Sequence, residues 1–292
     1  MRYKINVINE LICVFAACFL GGCVSSKECD VVEPVIEKCF EVDGDGKQVE
    51  YMTIDGVMVH ETDPAKQAQP TIVTPGAASR DGQVGTAPSD AVVLFDGTSE
   101  SMKNWTDTNG GQTKWIFANG ALESVKKAGY IQSKQKFGSC QLHVEWATPE
   151  SVKGDGQGRG NSGVFLMGIY EVQVLDSFNN TTYPDGQAGA IYGRKKPDVN
   201  ASRGPGMWQC YDIIFHQPRF DEAGNVVKKA TFTVLHNGVL IHDNYELSGG
   251  TDWRGEHSVS EYSAHADKLP LRLQDHGNPV RYRNIWMREI AD

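Results

Sequence analysis

Residues 161–176 read NSGVFLMGIYEVQVLD, and the alternation in the second half of this stretch decides the fold. Val172 and Val174 alternate with Glu171 and Gln173, the period-two pattern of a strand with one apolar and one polar face. The expected open face therefore carries an acid beside an amide, with Asp176 just beyond the strand. A solvated outer face is the plain explanation of such polarity. Recurrence of the same pattern elsewhere in the chain favours a site.

Two other segments repeat it. In CQLHVEW, Cys140, Leu142, Val144 and Trp146 alternate with Gln141, His143 and Glu145. In LRLQDHG, Leu271 and Leu273 alternate with Arg272 and Gln274, and His276 keeps that phase if the strand stays regular. Further short apolar runs (VVLF, KWIF, SGVFLM, CYDIIF, NIWM) are separated by Gly, Asn and Asp turns. His236-Asn237-Gly238-Val239 places Asn-Gly between two alternating segments, the strongest local hairpin signal in the chain. No stretch with helical period follows residue 90. Many short strands in roughly 200 residues predict an all-β sandwich or jelly roll.

If the polar faces share one sheet, they gather Glu145, Glu171, Gln173, Asp176, Arg272, Gln274 and His276. Tyr192, Trp208, Tyr211, Trp253 and Tyr262 are aromatics available to line that surface. Apolar sugar faces stack on aromatic rings and hydroxyls need polar partners, so the set points to carbohydrate. Glu171, Gln173 and Asp176 lie at i, i+2 and i+5, which resembles the catalytic strand of laminarinase-type β-glucanases with a bulge before the third residue. Those enzymes carry an acid where this chain has Gln173, so a retaining double displacement is the weaker alternative. A non-catalytic sugar-binding sandwich is another.

The net charge of −9 argues against nucleic acid, which requires clustered basic charge. Gly-rich KGDGQGRG at 153–160 lacks the strand–turn–helix context of a phosphate loop and reads as a mobile surface loop. The DGDG of 43–46 lacks later acidic ligands and reads as a turn.

At the N-terminus, Arg2 and Lys4 precede the apolar run LICVFAACFL of 11–20, then Gly21, Gly22 and Cys23. This is a secretory signal, too short to span a bilayer. Its end resembles a bacterial lipobox, which implies residues 1–22 as a signal peptide, lipidation of Cys23, and an outer-membrane or surface lipoprotein. Residues 23–61 form a short Cys-bounded segment, and 62–90, rich in Pro, Ala, Gly and Gln, read as a flexible linker before a domain spanning 91–292. Of seven cysteines, Cys29, Cys39, Cys140 and Cys210 remain after the signal and the lipid site. Cys29 and Cys39 are expected to close a small loop, whereas Cys140 and Cys210, both on expected inward phases, are a bridge or two buried thiols. No CxxC pair is present, which disfavours structural zinc.

Several phrases taken together resemble the 3-keto-disaccharide hydrolase family. They are LFDGTS (94–99), GNSGVFLMGIYEVQVLDS (160–177), GAIYG (189–193), PGMWQCYDIIF (205–215), TVLHNGVLIHDN (233–244) and LRLQDHGNPVRYRNIWMR (271–288). Met167 and Gln209 depart from the family's usual residues. The resemblance implies a concanavalin A-like jelly-roll β-sandwich acting on glycosides oxidised at C3, by elimination across C1 and C2 or by net hydrolysis through a 2-hydroxyglucal. On that chemistry Glu171 or His276 is the expected base, with Asp176 and Glu145 as further acid, base or metal candidates. Gln173, Gln274, Arg272, Trp208, Tyr192 and Asn161 are the expected substrate contacts. A divalent metal on His276 and Glu171 is a further expectation.

Overall fold

The computed structural model describes residues 34–42, 46–59, 69–80, 83–252 and 260–291. The signal, Cys23, Cys29 and Trp253 lie outside the described residues. Two compact units divide at residue 73. In the first, β1 (Ile36–Val42), β2 (Gln48–Ile54) and β3 (Val57–Val59) form an antiparallel meander. Asp55 and Gly56 both have positive φ in its β2–β3 turn, the geometry that matches strand twist in a two-residue hairpin. Cys39 on β1 is a free thiol.

The second unit is a sandwich of two antiparallel sheets, with no α-helix among its described residues. Its strands are β4 (Val92–Phe95), β5 (Trp105–Asp107), β6 (Ile116–Ala118), β7 (Ala121–Glu123), β8 (Ile131–Phe137) and β9 (Cys140–Ala147). They continue with β10 (Ser162–Leu166), β11 (Tyr170–Val174), β12 (Gln209–His216), β13 (Arg219–Phe220) and β14 (Val226–Lys228). The last four are β15 (Thr231–His236), β16 (Val239–Glu246), β17 (Leu269–Leu273) and β18 (Arg281–Glu289). One sheet runs β11-β10-β17-β8-β5. The other runs β16-β15-β12-β9-β18-β7-β6, with β4 also on β18. β13 and β14 form a separate ribbon.

The alternation read from sequence becomes the core. Val164, Tyr170, Val172, Leu271 and Leu273 of the first sheet pack with Leu142, Val144, Trp146, Tyr211 and Phe215 of the second. Polar tips buried between the sheets find partners, as buried hydroxyls must. The Tyr211 hydroxyl donates to the Gln173 carbonyl at 2.7 Å and that of Tyr282 to the Ser162 hydroxyl at 2.7 Å. The Asn237-Gly238 hairpin joins β15 to β16 with both residues at positive φ, as its sequence predicts.

Two expectations are corrected. Residues 74–90 are not a free spacer: Ala77 and Thr86 pair, Arg80 and Gln83 pair, and the Ser79 hydroxyl accepts from the Gly85 amide at 2.7 Å. The segment belongs to the second unit, reaching β18 through the Asp90–Arg288 ion pair and a Ser79–Asn284 contact of 3.4 Å. Cys140 lies in the core and Cys210 on the opposite face of its sheet, so both are free thiols and no bridge is formed. One misjudged phase accounts for this: β12 buries Gln209, Tyr211, Ile213 and Phe215, which turns Cys210 outward.

Candidate functional site

The polar face of the five-stranded sheet is where the expected residues meet. Antiparallel register sets Glu171 opposite Phe165, Phe165 beside Arg272, and Arg272 opposite Gln132. Gln173 lies opposite Gly163, whose carbonyl accepts from the Gln274 amide at 3.1 Å. Glu171, Gln173, Arg272 and Gln274 therefore share one surface, as the alternation predicts.

That surface is covered, contrary to the expected open face: Glu171 is 5 % exposed and Gln173 is 1 % exposed. Segment 156–158 lies over Gln173, since the Gln173 Nε2 donates to the Gln157 Oε1 at 3.0 Å. GAIYG covers the free edge of β11. The Gln173 amide donates to the Ala190 carbonyl at 2.9 Å, and the Tyr192 amide donates to the Glu171 carbonyl at 3.1 Å. An edge strand that would template foreign pairing is thus sealed by its own chain. The Glu171 amide is held as well, donating to the Thr251 hydroxyl at 2.7 Å.

The Glu171 carboxyl makes no side-chain hydrogen bond among the described residues, and burial pushes it up to about 8. Its charge acts on the hydroxyls of Tyr130, Tyr183 and Tyr192, each held above the usual tyrosine range chiefly by burial. The Tyr183 and Tyr192 hydroxyls bond each other at 2.7 Å. Tyr130 accepts from the Gln274 Nε2 at 2.5 Å, which leaves its own proton to donate elsewhere. The Oε1 atoms of Gln173 and Gln274 are buried with no donor among the described residues. Gly163 is a glycine because a Cβ there would collide with the Glu171 carboxylate, so the acid lies flat across β10. The acid and the two unanswered amide oxygens form a surface short of hydrogen-bond donors among the described residues.

Other expected residues take different places. Asn161 flanks the site, donating through Nδ2 to the Gln157 carbonyl at 2.8 Å. Arg272 is held at the far end by the Gln132 Oε1 at 3.1 Å and the Gly168 carbonyl at 3.3 Å. Asp176 is not returned to the face by a bulge. β11 ends at Val174, and the Asp176 carboxylate is taken by Arg159 Nε at 2.7 Å, with the Phe178 amide at 3.3 Å. His276 is exposed in the turn after Gln274 and bonds none of these groups. No metal-binding group of three side chains forms around Glu171 and His276 among the described residues, so the expected metal pair does not fit.

Glu145 and Trp208 are corrected outright. Glu145 is on β9 in the other sheet, facing away from the sandwich. Its carboxylate accepts from Arg283 Nε at 2.6 Å and Asn284 Nδ2 at 2.9 Å. Burial would raise it, yet bonds from His143, Asn284, Ser79 and Arg283 outweigh that and hold it down at about 2. Trp208 lies under the Arg283 guanidinium, 4.0 Å from the ring centroid. Tyr211 is core, and the Tyr262 hydroxyl bonds the backbone at Ala230 and Leu247. Tyr130, Gln157 and Tyr183, absent from the sequence expectation, are the site residues it misses. Tyr130 directly precedes the alternating IQSKQKF of β8, whose phase was the available signal.

The model of the 3-keto-alpha-glucoside-1,2-lyase-like domain family matches residues 90–288. The chain belongs to that family. A candidate glycosyl hydrolase from Parabacteroides distasonis ATCC 8503 is 42 % identical, with a TM-score of 0.73, covering 80 % of this chain and 98 % of its own. A second candidate glycosyl hydrolase from the same organism, 16 % identical with a TM-score of 0.51, covers 69 % of this chain and 94 % of its own and shares the fold. No curated protein matches. Membership in the 3-keto-alpha-glucoside-1,2-lyase-like family gives the covered face a glycoside-processing context, and the chemistry of its residues is considered on that basis.

Proposed function

We propose that the covered face cleaves glycosides whose C3 hydroxyl has been oxidised to a ketone, with Glu171 as the base at C2. The observation that carries this reading is the buried Glu171 carboxyl, without a side-chain hydrogen bond among the described residues and pushed up to about 8 by burial. A base with affinity for protons near neutrality suits removal of a carbon-bound proton that an adjacent ketone has acidified. Glu171 takes the C2 proton, the C2–H electron pair forms the C1–C2 double bond, and the C1–O pair leaves with the aglycone, which gains a proton. Addition of water across that double bond then completes net hydrolysis through the 2-hydroxyglucal. On this reading Tyr130, whose hydroxyl accepts from Gln274, donates to the oxygen that gains charge. Gln173 Oε1 and Gln274 Oε1 accept from sugar hydroxyls.

A retaining glucanase reading loses its partner acid. That mechanism needs two carboxyls about 5–5.5 Å apart, whereas Asp176 is paired with Arg159 and Glu145 belongs to the other sheet.

The test is incubation of the protein with a 3-keto-glucoside and with its unoxidised parent. Release of aglycone from the keto form alone supports the proposal. Cleavage of both forms, or tight binding of the keto form without turnover, overturns it. We also propose that Cys23 carries the lipid of a surface-anchored lipoprotein, on the strength of the LGGC sequence at 20–23. Metabolic labelling with a lipid analogue that is unaffected by Cys23→Ser would count against it.

A further inference from the structure

The outer face of the eight-stranded sheet holds a cluster that the proposed chemistry does not use. Register places Asp212 of β12 directly opposite His143 of β9, and Cys210 opposite Glu145. Cys210 and Asp212 are two residues apart on one strand, so their side chains project from the same face as His143. One ligand atom from each of the three lies within 4.8 Å of the other two.

We propose that His143 Nδ1, Cys210 Sγ and Asp212 bind a divalent transition-metal ion of the zinc class, with a fourth position open to solvent. Imidazole, thiolate and carboxylate are a donor set suited to a borderline ion and unsuited to calcium or magnesium. The spacing agrees. A tetrahedral ion with bonds of about 2.3 Å to sulfur and about 2.0 Å to nitrogen or oxygen separates sulfur from its neighbours by roughly 3.5 Å. The observed separations are 3.6 Å from Cys210 Sγ to His143 Nδ1 and 3.4 Å from Cys210 Sγ to Asp212 Oδ2. His143 Nδ1 and Asp212 Oδ1 stand 2.6 Å apart and must open to roughly 3.3 Å in that geometry. The Asp212 side chain is 40 % exposed and has room to move.

The surroundings supply what such a ligand set needs. A ligating imidazole is oriented through its other nitrogen, and His143 Nε2 lies 3.2 Å from Asn284 Nδ2 and 3.6 Å from Glu145 Oε1. Glu145 is itself held by Arg283 and Asn284. Trp286 stacks on the His143 ring with centroids 5.1 Å apart and planes 9° from parallel, which fixes the ring's orientation. These contacts also hold the apo network together, so the metal itself must be measured.

Purified protein, stripped with chelator and dialysed, is titrated with Zn²⁺ and separately with Co²⁺. One bound zinc per chain and a thiolate-to-cobalt charge-transfer band are expected, both lost in Cys210→Ser and retained in Cys39→Ser. Asp212→Asn, which preserves shape, is expected to weaken zinc binding at least tenfold and to alter the cobalt spectrum. Absence of the band in the unsubstituted protein, or its survival in Cys210→Ser, overturns the proposal. Should Cys210→Ser fail to fold, unchanged zinc affinity in both Asp212→Asn and His143→Gln overturns it equally.

Discussion

Burial of the Glu171 carboxyl governs both its reactivity and its cost to the fold. The folded protein retains this proton up to about 8, whereas the unfolded chain releases it in the ordinary carboxylate range. Between those values the native state binds more protons than the unfolded state, so stability falls as pH rises through the window. Glu171→Gln removes that slope. The variant is expected to melt higher than the parent at pH 9 and close to it at pH 5, measured by thermal denaturation. Activity moves the opposite way. As a base, Glu171 must be ionised, so kcat/KM should rise with pH to a plateau with a midpoint near 8, and Glu171→Gln should lose a factor of about 10²–10⁴. A profile that falls through that midpoint would assign Glu171 as an acid and sink its role at C2. Alternation made Glu171 and Gln173 legible in the sequence. Gln157 and Tyr183 were not, because they reach the site from covering loops, which leave no periodic trace, and Tyr130 stands one residue ahead of its strand, where only the phase of β8 marks it.

At the level of elements, one strand carries the acid and its neighbours decide what the acid can do. β10 contributes Gly163, whose missing side chain is the space the Glu171 carboxylate occupies. Gly163→Ala is therefore expected to displace the carboxylate and lower kcat at least tenfold with the fold retained, checked by kinetics beside circular dichroism. Asp176 sits just past the same strand, yet its carboxylate is committed to Arg159 with only 3 % of the side chain exposed. Removing one partner of a buried pair costs about 3–5 kcal/mol, because the other charge is left without compensation. Asp176→Asn should thus destabilise the protein toward urea while leaving turnover of the remaining folded enzyme within a few-fold of the parent. Loss of turnover with unchanged stability would return Asp176 to the catalytic set. The sequence misplaced Glu145 for a related reason. Period two reveals which phase of a strand is polar and is silent on which sheet the strand joins. In a sandwich, two outward faces point in opposite directions.

On the scale of the whole second unit, residues 74–90 show how composition can mislead. Few large apolar residues and many Pro, Ala and Gly read as a chain unable to pack, and most of these residues are in fact exposed. What binds the segment is polar and local. Ala77 pairs with Thr86, Ser79 accepts from Gly85, and Asp90 meets Arg288 at 2.5 Å. The fit is also steric, since a Cβ on Gly85 would press on the Asn284 amide and the Ala77 carbonyl. The Asp90–Arg288 pair is open to solvent, which screens it, and it adds little. Backbone pairing and the Ser79 contacts contribute about 1–2 kcal/mol together. A chain starting at Ala91 is therefore expected to be less stable than one starting at Thr74 by about 1–2 kcal/mol, or roughly 2–8 °C in Tm for a domain of this size. The same deletion removes the Ser79 hydroxyl that bonds Glu145, and so loosens the support behind His143 without touching Glu171. Equal melting temperatures for the two chains would show that residues 74–90 are a spacer after all. A loss of stability accompanied by unchanged kcat would place them as a brace on the outer sheet, remote from Glu171.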